Sequence, residues 1–268
     1  MIRQTIPQKR SLVIGMVSIL ILLGLYTMTS RWQHGKNPDD TTIPSWSQLA
    51  EGVQKIVEVN PRSGERWIMV DSGATLNRLF LGLLFGIAGS VILGLAMGCF
   101  PTCEAFLNPP LTLLAKIPPT AALAVFFVLA GTGTQMYVAM IGFGVLPTLA
   151  QSVYLAVKEV PEESLYKAYT LGASQAELIW NVIFRHILPK MLDAIRLQIG
   201  PAMVYLIAAE MVVGDVGFGY RIRLQSRLLN MNVVYPYLAV LAAFGFAMDQ
   251  LIKTIQRIFF RWYVNDRR

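Results

Sequence analysis

Long runs of apolar residues separated by short polar stretches dominate this chain. A helix needs about 20 apolar residues to cross about 30 Å of hydrocarbon, and six runs reach or approach that length. They lie at residues 11–29, 76–98, 119–131, 135–157, 197–213 and 235–252. The third and fifth runs are short and flanked by Gly and Pro, so five spans are the alternative if 119–157 folds differently. The pattern predicts an all-α, polytopic membrane protein.

Composition agrees with a membrane location, because the chain is 54% hydrophobic and only 15% charged. Soluble domains carry about 25% charged residues. The first run follows three basic residues and is longer than the apolar region of a signal peptide, about 7–15 residues, so we expect a retained membrane helix. The net charge of +7 does not indicate nucleic-acid binding, because Lys and Arg flank the apolar runs.

The distribution of basic residues predicts the orientation. Six spans place both termini on one side, and fourteen of the 23 Lys and Arg lie on that side. The positive-inside rule therefore predicts a multi-pass membrane protein with both termini in the cytoplasm. The sequence divides into four predicted segments. They are a cytoplasmic N-terminus and first helix (1–30), an external segment with an amphipathic helix opened by Ser45 (31–75), a core domain of membrane helices (76–252) that includes a loop at 158–190, and a basic cytoplasmic tail (253–268).

Small residues and prolines mark the second run and the segment after it. Gly82, Gly86, Gly89, Gly94 and Gly98 recur at the spacing that lets membrane helices pack closely. Five prolines follow between residues 101 and 119, so we expect no unbroken helix there. Non-helical backbone at membrane depth must be buried or line a cavity, so "LAKIPPTAALA" is expected where the helices open toward a pathway.

A polar stretch at 158–190 predicts two short helices joined at a glycine elbow. Pro161 favours a helix start, and Glu162 and Glu163 favour its N-terminal end. Gly172 is expected to end this helix in the left-handed conformation, and "SQAE" (174–177) reads as a capping box for a second helix, stopped by Pro189. The first helix suits either insertion into a groove on a soluble partner or a position along the membrane surface.

This stretch resembles the EAA loop of permease subunits of bacterial ABC importers. The family pattern is E-A-A, three residues, Gly, nine residues and Ile-x-Leu-Pro. Aligned on Gly172, the triplet is Tyr166-Lys167-Ala168, Val182 and Phe184 stand for Ile and Leu, and Arg185 replaces the proline. Pro189, "LGAS", "IPP", "AAEM" and "DVGFGYRI" resemble the nitrate/sulfonate/taurine type. The resemblance implies a type I ABC importer-like fold of about six transmembrane helices with a cytoplasmic coupling helix.

The resemblance also implies a mechanism and partners. The permease would move a small compact solute (nitrate, a sulfonate such as taurine, or a urea- or guanidine-like compound) across the inner membrane. Two ATP-binding subunits, which bind ATP and Mg, would drive it through the 161–173 helix, and a second copy of the permease and a periplasmic or lipid-anchored binding protein would complete it. The coupling residues would be Leu165, Tyr166, Lys167, Ala168, Tyr169, Gly172, Ser174 and Glu177.

Catalytic chemistry is not expected on this chain. It has no G-x-x-x-x-G-K-[ST] phosphate loop, and no Ser/His/Asp or Cys/His set stands out. His34 and His186 are interpreted as surface residues, and Cys99 and Cys103 as small residues near a helix end. We therefore expect no enzyme activity, metal or cofactor in this chain, with ATP hydrolysis on a separate subunit.

Glu210 is the one acid deep in a predicted span, so it should face the interior, pair, or line water. It either shapes the translocation route or accepts hydrogen bonds that fix packing; Gln198, Met203 and Tyr205 are further pathway candidates. Arg221, Arg223 and Arg227 either contact a solute-delivering protein or, as we favour, solvate an external loop.

An ion-gradient-driven secondary transporter is the alternative function, but it predicts inverted repeats and paired intramembrane charges, and we identify no convincing repeat. A membrane scaffold without transport activity is the second alternative.

Overall fold

The structure is a computed structural model that describes residues 7–37, 40–61 and 64–265. Its helices are α1 (Gln8–Lys36), α2 (Trp46–Val57), α3 (Trp67–Cys99), α4 (Pro101–Leu114), α5 (Leu123–Ala130), α6 (Thr134–Lys158), α7 (Glu162–Thr170), α8 (Gln175–Glu177), α9 (Arg185–Val213), α10 (Phe218–Arg227), α11 (Met231–Phe259) and α12 (Arg261–Asn265). A π-helical segment, Leu178–Phe184, joins α8 to α9. The predicted all-α architecture is therefore present.

Five helices within the described ranges are long and apolar enough to cross a membrane. They are Leu12–Lys36, Trp67–Cys99, Thr134–Lys158, Gln175–Val213 and Met231–Phe259. The predicted run at 119–131 is not a sixth long helix, because it holds only the eight-residue α5. Pro118 and Pro119 precede α5, and Gly131, with φ +70°, ends it.

The small residues of α3 form one stripe that packs against α6. A Cβ added at Gly82 would lie 2.7 Å from Ile141, and one added at Gly98 would lie 2.5 Å from Val157. Gly86 and Gly94 face Val145 and Val153 in the same order, so α3 and α6 run parallel. The predicted packing role of these glycines is confirmed, because any larger side chain would push the two backbones apart.

Because α3 and α6 are parallel, the chain between them must return along their length, and α4 and α5 make that return. Near the end of α6, Lys158 Nζ lies 2.8 Å from Glu104 Oε2 of α4. Closer to the start of α6, Phe143 packs on Phe126 of α5, with ring centroids 5.4 Å apart. The two helices together are about 33 Å long at 1.5 Å per residue, so they form one broken antiparallel segment of membrane-spanning length.

The break in this segment is where the sequence predicted it, but not every proline contributes. Residues 115–122 form turns between α4 and α5. Pro109 and Pro110 lie inside α4, so the helix is not broken at these two prolines. Both are exposed, so their missing N–H groups leave the packed face around Leu111 intact.

The second helix of the elbow is much longer than predicted. Pro189 does not stop it, and helical structure continues from Gln175 to Val213, 39 residues. The preceding π-helical turn is one local adjustment through which membrane helices accommodate proline. The carbonyl of Pro189 accepts a hydrogen bond from Gln256 Nε2 at 3.0 Å, so the proline is held by α11.

The chain forms two compact units. One combines residues 1–67 with 222–238, and the other combines 68–221 with 239–268. In the second unit, buried residues of α3, α6 and α9 form the main apolar core, centred on side chains such as Met140, Ile141 and Leu206. This unit holds every predicted site residue. The predicted division at residues 30, 75 and 252 stays a prediction.

Candidate functional site

The elbow after α7 depends on the backbone conformation of Gly172. Its φ is +84°, in the left-handed region that favours glycine. Gly172 N donates to Tyr169 O at 2.9 Å, and Ala173 N donates to Ala168 O at 3.1 Å. These two bonds form a Schellman motif, which satisfies carbonyls at the end of α7. A Cβ at Gly172 would meet no atom within 4 Å, so conformation rather than space requires glycine.

The capping box that opens the second helix is also present. Ser174 Oγ accepts a hydrogen bond from Glu177 N at 3.3 Å, and Glu177 Oε2 accepts one from Ser174 N at 2.9 Å. The two side chains thus satisfy backbone donors reciprocally. With a glycine stop before it and a capped start after it, the turn 171–174 has a defined geometry.

The residues predicted for coupling lie on two faces of α7. Leu165 and Ala168 are partly buried and pack against the core of the second unit. Tyr166 and Tyr169 are 64% and 50% exposed, and Lys167 is also exposed. Leu171, which sequence analysis did not single out, is 88% exposed at the tip of the elbow. One face therefore anchors the helix while the other presents apolar and aromatic groups outward.

An ion pair ties α6 to α9 across the base of the elbow. Lys190 Nζ donates to Glu159 Oε2 at 2.6 Å. This bond to an ammonium group holds the pKa of the Glu159 carboxyl below its ordinary value, because it stabilises the charged form. A cleft of about 440 Å³ lies between α7 and the ends of α3 and α6, lined in part by Cys99, Val160 and Leu165.

Far from the elbow along α9, Glu210 lies in a buried polar cluster. Its carboxylate is fully buried and accepts hydrogen bonds from Thr75 Oγ1, Arg78 Nη1 and Gly219 N, each at 2.9 Å. Arg78 also donates to Val216 O at 2.8 Å and lies 4.2 Å from the Tyr137 ring centroid. A buried charge needs such pairing and bonding to persist.

A second ion pair completes the cluster. Asp71, also fully buried, accepts hydrogen bonds from Arg221 Nε at 2.8 Å and Gly217 N at 3.1 Å. Phe218 N donates to Thr75 Oγ1 at 3.0 Å. Side chains of α3 and α9 therefore accept from the free N–H groups that open α10, where the helix dipole favours negative charge.

The segment "GDVGFG" (214–219) fits closely around this cluster. Gly217 has φ +117°, and a Cβ there would lie 2.5 Å from Glu210 Oε1. A Cβ at Gly219 would overlap the carbonyl oxygen of Ile207. Both glycines are thus required by close approach, and Gly217 by its conformation as well.

The cluster includes residues that sequence analysis missed. The predicted span began at residue 76, whereas α3 begins at Trp67 and so includes Asp71. Asp71, Thr75 and Arg78 lie at i, i+4 and i+7, one face of a helix, and that spacing was the available signal. Arg221 does not solvate a loop as favoured, because it is bound to buried Asp71; Arg227 is exposed.

The predicted pathway residues of α9 do not lie together. Met203 lines an apolar groove against Gly245 of α11, whereas Tyr205 packs on Gly144 of α6. Glu210 faces the polar cluster, and Gln198 is half-buried. Successive helical residues are 100° apart, so Gln198 and Tyr205 share one face and Met203 and Glu210 another.

A family model described as the inner membrane component of binding-protein-dependent transport systems matches residues 11–263. The chain is 30% identical over 190 residues to the taurine transport system permease protein TauC of Escherichia coli (strain K12), covering 71% of this chain and 69% of TauC. It is 21% identical over 233 residues to the nitrate import permease protein NrtB of Synechocystis sp., covering 85% and 84%.

A solved structure of the MetNI methionine ABC transporter in an inward-facing conformation shares this fold. The TM-score is 0.60 at 20% identity, over 70% of this chain and 94% of that one. The predicted fold class, including its likeness to ABC importer permeases, is confirmed.

Proposed function

Because this chain belongs to the family of binding-protein-dependent transport system inner membrane components, we propose a mechanism for it as the permease subunit of an ATP-driven importer. The elbow carries the proposal. This short helix is anchored by Leu165 and Ala168, and Tyr166 and Leu171 face outward, so it is suited to bind in a groove on another protein.

We propose that this groove belongs to ATP-binding subunits, which hold ATP and Mg. Their movement enters the permease through 161–173. The Schellman motif at Gly172 and the capping box at Ser174 fix the angle between α7 and the following helix. A rigid elbow transmits a displacement of α7 to the following helix, whereas a flexible linker would not. This docking also determines the orientation of the chain in the membrane. The elbow would contact the ATP-binding subunits in the cytoplasm, and both basic termini would lie on the same side.

The broken α4–α5 segment supports a position for the solute route. Non-helical backbone at membrane depth is tolerated where it lines a cavity, and residues 115–122 form such a break. Lys116 lies in the break with its side chain exposed. A charged side chain halfway along a crossing is expected to face water or a substrate path. Pro119 and Tyr205 both adjoin Gly144, so α9 borders the same break.

A second copy of the chain would complete this route. An apolar groove of about 560 Å³ lies between α9 and α11, and its floor includes Gly200, Ala208, Ala242 and Gly245. Small residues allow a neighbouring helix to approach closely within a membrane. We propose this groove as the site of homodimer contact. Single cysteines at Ala242 should crosslink between copies in membranes, and failure to crosslink there would place the contact elsewhere.

The solute is proposed as a small, compact ion or zwitterion of the nitrate or sulfonate type. TauC and NrtB, named for taurine and nitrate, support this class. A separate solute-binding protein would deliver it and supply most of the specificity.

Copurification with the ATP-binding subunit tests the proposal. Replacing both Tyr166 and Leu171 with Ser should abolish copurification, because it removes the outward apolar contacts of the elbow. Trp180→Ser is the matched control, since Trp180 is 59% exposed but lies beyond the elbow. Retention of the ATPase by the double variant, or equal loss in the control, would count against docking at this site.

A further inference from the structure

Helix α2 (Trp46–Val57) has a well-defined start and one anchored face. Ser45 and Gln48 form a capping box at its N-terminus. Ile56 and Gly52 are buried, and a Cβ at Gly52 would overlap the carbonyl of Asn232 in the same compact unit. The helix is therefore held in place along this face.

A second apolar stripe of α2 has no protein cover in the described residues. Trp46, Ala50, Val53 and Val57 lie at i, i+4, i+7 and i+11, beside the anchored face. Trp46, Val53 and Val57 are 51%, 49% and 50% exposed. Ser47, Glu51, Gln54 and Lys55 are polar and exposed. The apolar arc of α2 is thus wider than the surface on which it packs.

Contacts with α1 show how deep this stripe lies. The indole Nε1 of Trp46 donates to Thr27 Oγ1 at 3.2 Å, and the rings of Trp46 and Tyr26 meet edge to face at 5.4 Å. The apolar residues of α1 are exposed from Leu12 to Met28, so in a membrane they face lipid. Trp46 therefore lies where the lipid-facing stretch of α1 ends.

Aromatic residues cluster at this level. Tyr26 OH donates to Pro44 O at 2.7 Å, and the ring of Tyr235 lies 6.1 Å from that of Tyr26. Tyr and Trp are enriched at the boundary between acyl chains and headgroups, where an apolar ring and a polar tip are both satisfied.

We propose that α2 lies in the headgroup region of the bilayer, with Trp46, Val53 and Val57 toward the acyl chains and Lys55, on the opposite side of the helix, toward water. The occupant of its uncovered stripe is then lipid, continuous with the lipid around α1. The helix carries one Lys and one Glu, so apolar contact rather than attraction to anionic lipid holds it. This inference depends on α1 crossing the membrane and not on the transport mechanism.

Site-directed fluorescence tests this. Single cysteines at Val53, Val57 or Lys55, in a background with Cys99 and Cys103 replaced by Ser, would carry an environment-sensitive label in phosphatidylcholine nanodiscs. We expect blue-shifted emission and strong quenching by brominated acyl chains at 53 and 57, with little at 55. Adding phosphatidylglycerol should leave the pattern unchanged.

Two results would overturn the inference. One is equal quenching at all three positions, which would mean that α2 stands away from the bilayer. The other is a label at 53 and 57 that is shielded only when a solute-binding protein is added, which would identify a protein as the occupant. Val53 and Val57 are exposed, so both cysteine variants should fold, and each provides an independent measurement.

Discussion

Gly172→Val is the sharpest perturbation of the elbow. A non-glycine residue in the left-handed region costs roughly 1–2 kcal/mol, and Gly172 has φ +84°. No atom lies within 4 Å of an added Cβ, so overlap of this atom adds nothing to the cost. The penalty is therefore chiefly conformational and confined to the turn, and insertion of the protein should be normal.

The size of the effect follows from this penalty. A change of 1–2 kcal/mol alters a two-state ratio roughly 5- to 30-fold, here between the observed elbow and relaxed alternatives. If only the observed elbow couples and the variant brings it into balance with the relaxed alternatives, the solute moved per ATP hydrolysed should fall by up to that factor. Gly172→Asn should be impaired least, because Asn tolerates the left-handed region, and β-branched Val most.

The assay is uptake into proteoliposomes that contain the permease, its ATPase and a solute-loaded binding protein. The quantity measured is solute accumulated per ATP hydrolysed. Gly73→Ala is the control, since Gly73 is helical with no neighbour within 4 Å of an added Cβ and no positive φ. Wild-type coupling in Gly172→Val, or equal impairment of the Asn and Val variants, would refute the reasoning.

Three further predictions concern stability and are measured by thermal unfolding of the purified protein. Arg78→Met leaves buried Glu210 without its cation and should cost about 3–5 kcal/mol; a loss below 1 kcal/mol would contradict the pairing. Gly94→Leu should cost about 1–3 kcal/mol by overpacking against α6, so an unchanged Tm would argue against the stripe. Lys190→Gln should destabilise at neutral pH only. The pKa of Glu159 is lowered in the folded state, so its pair stabilises above the unfolded pKa and is lost as pH falls through the folded value; a difference that persists in acid would contradict this.

Structural features that have a single, local physical cause could be predicted from the sequence. The glycine at 172 and the capping box at 174–177 are determined by neighbouring residues alone, and both are present. The small-residue stripe of α3 was likewise readable, because its spacing permits close packing whatever the partner.

Features that depend on contacts between residues far apart in the sequence could not be predicted in this way. Pro189 was expected to stop a helix, but a π-helical turn and a bond from Gln256 of α11 allow the helix to continue. Asp71 and Arg221 are 150 positions apart, and only the fold brings them together. The search for apolar runs left Asp71 outside the predicted span. A charged residue near the start of a helix ends such a run, even where the folded structure supplies a partner for the charge.

One continuous stretch of helix links the two parts of the site. Gln175–Val213 is 39 residues, about 58 Å at 1.5 Å per residue, and joins the elbow to the Glu210 cluster. Removing one partner of a buried ion pair costs about 3–5 kcal/mol, whereas a helical hydrogen bond contributes about 0.5–1.5 kcal/mol. A force at the elbow should therefore deform the π-helical turn before it separates Arg78 from Glu210. The cluster then acts as a fixed end, and movement of the solute route is expected between it and the turn, where α9 borders the break in α4–α5.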